Sequence, residues 1–160
     1  MPKIAIIMGS KSDLETVKQT AEILENFKTS YEIKVLSAHR TPKELAAYVG
    51  TLENKGIKVV IAAAGGSAAL AGVIASHTTL PVIGIPIETK SLKGLDSLLS
   101  TAQMPPGIPV ACMSIGSWGA KNAAIFSLEI LALEDKKIKA KLNAYKKQMA
   151  KAIKKIKVKI

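Results

Sequence analysis

Five short apolar runs recur along the chain, each bounded by turn residues and each followed by a stretch whose apolar side chains fall at helical spacing. Few architectures accommodate that alternation. Ile4–Met8, Tyr31–Leu36, Lys58–Ala63, Pro81–Ile85 and Val110–Ile115 read as strands. Leu14, Val17, Ala21 and Leu24 form one helical stripe, and further helices are expected over Ala68–Ser76, over Leu95–Ala102, and from Trp118 to about Leu133. A helix also opens at Thr41, with Thr41 as N-cap, Pro42 in the first position and Glu44 closing a capping box. The strands are apolar at nearly every position, which predicts burial on both faces and a parallel sheet covered by helices above and below. The expected fold is α/β, a three-layer, flavodoxin-like parallel sheet of strand order 2-1-3-4-5.

A chain of 160 residues fits one such domain, expected over residues 1–133 and followed by a separate helix over residues 134–160. The charge marks that joint. Residues 1–135 hold 12 Lys and Arg against 12 Asp and Glu, whereas residues 136–160 hold 11 Lys and no acid, so the entire net charge of +11 lies in the tail. Ile138, Leu142, Tyr145, Met149, Ile153, Ile156 and Ile160 form a single stripe on that helix, with lysines around the rest. Such a helix is ~40 Å long, against a radius of gyration of ~15 Å for the whole domain. It is expected to overhang its own domain and to lay its stripe on a neighbouring subunit. The tail has no Arg and one aromatic, so neither nucleic acid nor an anionic membrane is its expected partner.

Composition removes other classes. Cys112 is the only cysteine, so no intrachain disulfide and no cysteine-rich metal site can form, and it reads as a small buried apolar side chain in the fifth strand. The apolar start gives way within thirteen residues to Gly9-Ser10-Lys11-Ser12-Asp13, too soon for a signal peptide. No run approaches the ~18 apolar residues of a membrane span. A soluble cytoplasmic protein is expected. Neither a Gly-x-Gly-x-x-Gly nor a Walker motif is present, and six aromatics are few for sandwiching a flavin.

In open parallel sheets, ligands sit beyond the carboxyl ends of the strands at the switch point, here between strands one and three. Three loops meet there. Gly9-Ser10-Lys11-Ser12-Asp13 offers hydroxyls and a carboxylate at a helix N-terminus, suited to phosphate and ribose or simply to capping the helix. Ser37-Ala38-His39-Arg40-Thr41-Pro42 pairs an imidazole able to move a proton near neutral pH with a guanidinium able to grip phosphate. Ala64-Gly65-Gly66-Ser67-Ala68-Ala69 is small enough for backbone amides to approach a ligand closely, or for tight helix–sheet packing. The second histidine, His77, has no carboxylate or thiol partner nearby in sequence and reads as a surface or helix-end residue.

These loops resemble a known family. Met-Gly-Ser-Lys-Ser-Asp at 8–13, Ser-Ala-His-Arg-Thr-Pro at 37–42 and Ala-Gly-Gly at 64–66 are similar to motifs of the 5-(carboxyamino)imidazole ribonucleotide mutases of purine synthesis. So are Leu-Pro-Val-Ile-Gly-Ile-Pro at 80–86, Gly-Leu-Asp-Ser-Leu-Leu-Ser at 94–100, Gln-Met-Pro-Pro-Gly-Ile-Pro-Val at 103–110 and Asn-Ala-Ala at 122–124. The resemblance implies a mutase without metal or cofactor that moves a carboxylate from the exocyclic amine to ring carbon 4, through carbon dioxide and free aminoimidazole ribonucleotide. It implies that His39 is the general acid and base and that Ser10, Asp13 and Arg40 hold phosphate and ribose. Ser12, Ser37, Ala38, Gly65, Gly66 and Ser67 match positions lining the pocket. It also implies a homo-octamer whose C-terminal helices reach onto neighbours.

One stretch departs from the pattern. The family usually reads Ala-Gly-Gly-Ala-Ala-His-Leu-Pro-Gly-Met where this chain has Ala64-Gly65-Gly66-Ser67-Ala68-Ala69-Leu70-Ala71-Gly72-Val73, so its second histidine is Ala69. His77 lies eight residues on, ~12 Å along a helix. The departure leaves two alternatives beside the mutase: a carboxylase that takes dissolved carbon dioxide directly, and a nucleotide-binding module without turnover.

Overall fold

A computed structural model describes Met1 and residues 3–156. Its strands are β1 (Ile4–Met8), β2 (Tyr31–Val35), β3 (Val59–Gly65), β4 (Val82–Ile87) and β5 (Ala111–Cys112). Its α-helices are α1 (Leu14–Asn26), α2 (Pro42–Val49), α3 (Leu70–Ser76), α4 (Leu95–Ala102), α5 (Gly116–Leu131) and α6 (Lys136–Lys154). The five strands are parallel in the order β2-β1-β3-β4-β5, as the alternation predicts.

Successive side chains of a strand point to opposite faces, so a run that is apolar throughout needs a cover on each. Ile4, Ile6 and Met8 of β1 and Ile61 and Ala63 of β3 pack with Val17 and Leu24 of α1 and with Ala120, Ala124 and Leu128 of α5. Ala5 and Ile7 of β1 and Val60 and Ala62 of β3 pack with Leu45 and Val49 of α2 and with Leu70 and Ile74 of α3. Thr20 of α1 is buried against α5, where its hydroxyl donates to the Ala120 carbonyl at 2.9 Å. In β4, a Cβ added at Gly84 would stand 2.3 Å from Cγ2 of Thr101, so α4 lies against the strand only because that residue has no side chain.

Full burial holds for β1 and nearly so for β3 and β4, but not at the edges. The β2 residues are half-buried or exposed, and β5 contracts from the expected six residues to two. An edge strand has a neighbour on one side only, and the helices flank the middle of the sheet. Cys112 is accordingly half-buried rather than buried, although burial still pushes its thiol above its ordinary value. The capping box expected at Thr41 is also absent. Thr41 is the N-cap residue of α2, but its hydroxyl turns back to Ser37, donating to the carbonyl at 3.1 Å and accepting from the N–H at 2.9 Å.

Helix α6 begins with Asp135, whose carboxylate accepts from the N–H groups of Ile138 and Lys137, bonds that hold it below the ordinary carboxylate value. The first half of α6 is anchored. Ile138 and Leu142 are buried, Tyr145 meets Phe27 edge-on at 5.7 Å, and Lys141 Nζ donates to the Phe27 carbonyl at the end of α1. From Lys146 to Ile156 every residue is exposed, including Met149, Ile153 and Ile156 of the stripe. Ile160 lies outside the described residues.

Candidate active site

The carboxyl ends of β1, β2, β3 and β4 surround a cleft of about 520 Å³. Its first wall is the turn after β1. Met8 ends a buried strand, and the chain then enters a single 3-10 turn, Lys11–Asp13, ahead of α1. Ser10 caps this turn: its hydroxyl accepts from the Ser12 N–H at 3.3 Å, while the Asp13 carboxylate accepts from the Ser10 N–H at 3.2 Å. The Ser12 hydroxyl lies 3.0 Å from Ser10 Oγ and donates to Asp13 at 3.2 Å. Asp13 is 7% exposed. Burial pushes its carboxyl above the ordinary value, against the lowering pull of Ser12, of the Ser10 N–H and of the Arg40 guanidinium. A buried acid costs folding free energy, here offset in part by the Ser10 N–H and the Ser12 hydroxyl that it accepts from.

The second wall is the loop after β2, wound around Ser37. Thr41 N–H donates to the Ser37 carbonyl at 3.0 Å and Arg40 N–H to the Ser37 hydroxyl at 3.2 Å. This winding exposes His39 and Arg40 at the cleft. The Arg40 guanidinium reaches across to the loop after β1 and donates to the Gly9 carbonyl at 2.9 Å. The third wall is small. Ala64, Gly65, Ala68, Ala69 and Leu70 line it, with no ionisable side chain among them. The fourth is the loop after β4, where Ile87, Glu88 and Thr89 border the same space.

Of the residues singled out from sequence, Ser10, Ser12, Asp13, Ser37, Ala38, His39, Arg40 and Gly65 all line this cleft. Gly66 and Ser67 stand beside it without lining it. Sequence reasoning missed Glu88 and Thr89. The signal was present: the rule that points to the ends of strands one to three applies equally to Ile85-Pro86-Ile87-Glu88-Thr89. Ala69 lies at the cleft end of α3 and His77 at the other end, where it is exposed and borders a different hollow with Glu53, Thr78 and Thr79. His39 is therefore the one imidazole at the cleft.

A parallel sheet with a hydroxyl-rich helix N-terminus, a histidine–arginine pair and a small apolar wall at its switch point defines a doubly wound α/β protein with a cleft whose chemistry suits a compact anionic ligand. The comparisons narrow that class. The family model described as AIR carboxylase matches residues 3–152. The N5-carboxyaminoimidazole ribonucleotide mutase of Pyrococcus abyssi is 57% identical over 149 residues, covering 93% of this chain and 84% of that protein. The protein of the same name from Vibrio parahaemolyticus is 50% identical over 151 residues, 94% of each chain. A crystal structure of Treponema denticola PurE superposes with a TM-score of 0.85 at 31% identity, covering 96% of this chain and 94% of that one. The chain belongs to the AIR carboxylase family.

Proposed function

We propose that this chain is a 5-(carboxyamino)imidazole ribonucleotide mutase of purine biosynthesis, with the cleft at the ends of β1–β4 as its active site. The observation that carries the reading is the meeting of His39, Arg40, Ser10, Ser12 and Asp13 around one nucleotide-sized cleft, in a chain 57% identical to a protein named as such a mutase. The phosphate and ribose are held by Ser10, Asp13 and Arg40, with Ser12 lining the pocket beside them. The imidazole ring lies against Ala38, Gly65 and the small wall, where Gly66 and Ser67 shape the neighbouring backbone.

The proton account closes on one side chain. His39 in its imidazolium form gives a proton to the exocyclic nitrogen as the N–C bond of the carbamate breaks, leaving the amine and carbon dioxide. Ring carbon 4, made electron-rich by that amine, then attacks the carbon dioxide carbon, and neutral His39 removes the hydrogen from carbon 4. The new C–C bond replaces the broken N–C bond, and the histidine returns to its starting form. Nothing in this sequence needs a metal or cofactor. The small wall offers the fragment no ionisable side chain with which to react between the two steps.

A second reading draws on Ala69. An alanine lines the cleft where the family's second imidazole would stand, which supports direct carboxylation of aminoimidazole ribonucleotide by dissolved carbon dioxide. Supplying the carboxyamino compound in one reaction, and aminoimidazole ribonucleotide with bicarbonate in another, separates the two. The mutase turns over the first; activity confined to the second overturns it.

The exposed stripe on α6, Met149, Ile153 and Ile156, supports assembly through helices that reach onto neighbouring copies, in a homo-octamer. The chain has no helix, among the described residues, long and apolar enough to cross a membrane, and a cytoplasmic location agrees with the reaction.

A further inference from the structure

We propose that Ser97, which does not itself reach the cleft, is the positioning residue for its small wall. Ser97 lies on α4, fully buried, and its hydroxyl makes two bonds. It donates to the Ile87 carbonyl at the end of β4 at 2.7 Å and accepts from the Gly66 N–H at 2.9 Å. A hydroxyl has one proton and two lone pairs, so both bonds form together without conflict. One oxygen thus ties the loop after β3 to the end of β4, two of the four cleft walls.

The loop needs such a tether. Gly66 stands at φ +67°, and two residues on Ala68 is buried at φ +35°, a left-handed conformation that a residue with a Cβ adopts only when its surroundings hold it there. Ala68 N–H reaches the Gly65 carbonyl at 3.3 Å, a weak closure for a strained turn. Outside help comes from α4. Ser97 holds the Gly66 N–H, and Ser100, whose hydroxyl donates to the Asp96 carbonyl at 2.8 Å, approaches the Gly66 carbonyl at 3.4 Å. Asp96 does the same for the loop after β4. Its carboxylate accepts from the Thr89 hydroxyl at 2.8 Å, and Thr89 accepts from the Gly94 N–H at 3.2 Å. No residue of Gly94–Ser100 lines the cleft, yet the segment sets where Gly65, Ala69 and Thr89 stand relative to His39.

This role rests on the reading of the cleft as the mutase site and adds to it a residue that acts on the geometry of the ring rather than on the proton. Displacing the wall lets the imidazole ring drift from His39 while the phosphate stays anchored at Ser10–Asp13, so the loss falls on kcat. The control is Thr101, also buried on α4, whose hydroxyl bonds only within the helix, to the Ser97 carbonyl at 2.8 Å.

The test compares Ser97→Ala with Thr101→Val in the full-length enzyme. Ser97→Ala is expected to lower kcat about tenfold or more with KM within about threefold of the unmutated enzyme. It is also expected to speed amide exchange at Gly66. Thr101→Val is expected to lower the melting temperature comparably while kcat and Gly66 exchange stay unchanged. Equal kcat in the two variants overturns the proposal. If Ser97→Ala does not fold, Ser97→Cys decides, since the thiol is a weaker and longer-reaching partner. A kcat lowered with KM unchanged supports the role, and an unaltered kcat overturns it. Absence of turnover in the unmutated enzyme contradicts the parent reading instead, and the Gly66 exchange then decides the tether by itself.

Discussion

Arg40 donates from Nη2 to the carbonyl oxygen of Gly9 at 2.9 Å, bridging the loop after β2 to the loop after β1 across the edge of the cleft. Its Nε also approaches the Ser37 hydroxyl at 3.4 Å, so the guanidinium is oriented before any ligand arrives. A lysine keeps the charge but puts all its donors on one nitrogen and has no planar fork to reach both partners at once. Arg40→Lys is expected to raise KM for the ribonucleotide about tenfold while changing kcat less. Steady-state kinetics checks it, and an unchanged KM removes Arg40 from the phosphate site.

Asp13 supplies a prediction on stability. Burial, its largest influence, raises the carboxyl above the ordinary 3.8. The folded protein therefore holds this proton more tightly than the unfolded chain. The group favours folding at pH values below 3.8, and that contribution is lost as pH rises through the folded-state value. Asp13→Asn removes the cost of the buried charge and keeps a carbonyl oxygen for the Ser10 N–H. It is expected to melt at the same or a higher temperature than the unmutated protein at neutral pH, the difference shrinking in acid, while ribonucleotide binding weakens. Melting curves across pH, alongside ligand titration, measure both. A clear drop in melting temperature at neutral pH contradicts this account.

The central strands and the cleft were legible for a simple reason. Ile4–Met8 is apolar at every position and is buried at every position, so pattern and environment coincide. In α4 the bounds Leu95–Ala102 match although the burial does not: Leu95 and Leu99 are exposed, and Ser97 and Thr101 are the residues turned inward. Pattern fails where position in the sheet decides. Val110–Ile115 is as apolar as an inner strand, but it pairs with β4 on one side only and keeps ladder partners for Ala111 and Cys112 alone. Local signals also fail when a tertiary partner competes for them. Thr41 carries a capping signature, yet its hydroxyl closes the Ser37 turn that exposes His39. Ser97 was visible only as part of a family-like motif, because its partners, Gly66 and Ile87, are brought to it by the fold.

The outer half of α6 carries a prediction on assembly. Met149 and Ile153 are 45% and 69% exposed on a helix whose inner half is anchored by Ile138, Leu142 and Tyr145. The double variant Met149→Glu with Ile153→Glu is expected to shift the molar mass in light scattering to a smaller species, with the helical circular dichroism signal retained. An unchanged mass assigns the stripe no part in assembly.

The central claim is that one imidazole carries the proton in both halves of the reaction, and His39→Asn tests it most directly. Asparagine keeps a polar side chain of similar reach but cannot take up and return a proton near neutral pH. With the carboxyamino compound as substrate, kcat is expected to fall by about a hundredfold or more, while the affinity for aminoimidazole ribonucleotide stays within about threefold. A variant that turns over within about threefold of the unmutated enzyme contradicts the account, because no second imidazole lines the cleft to take the role.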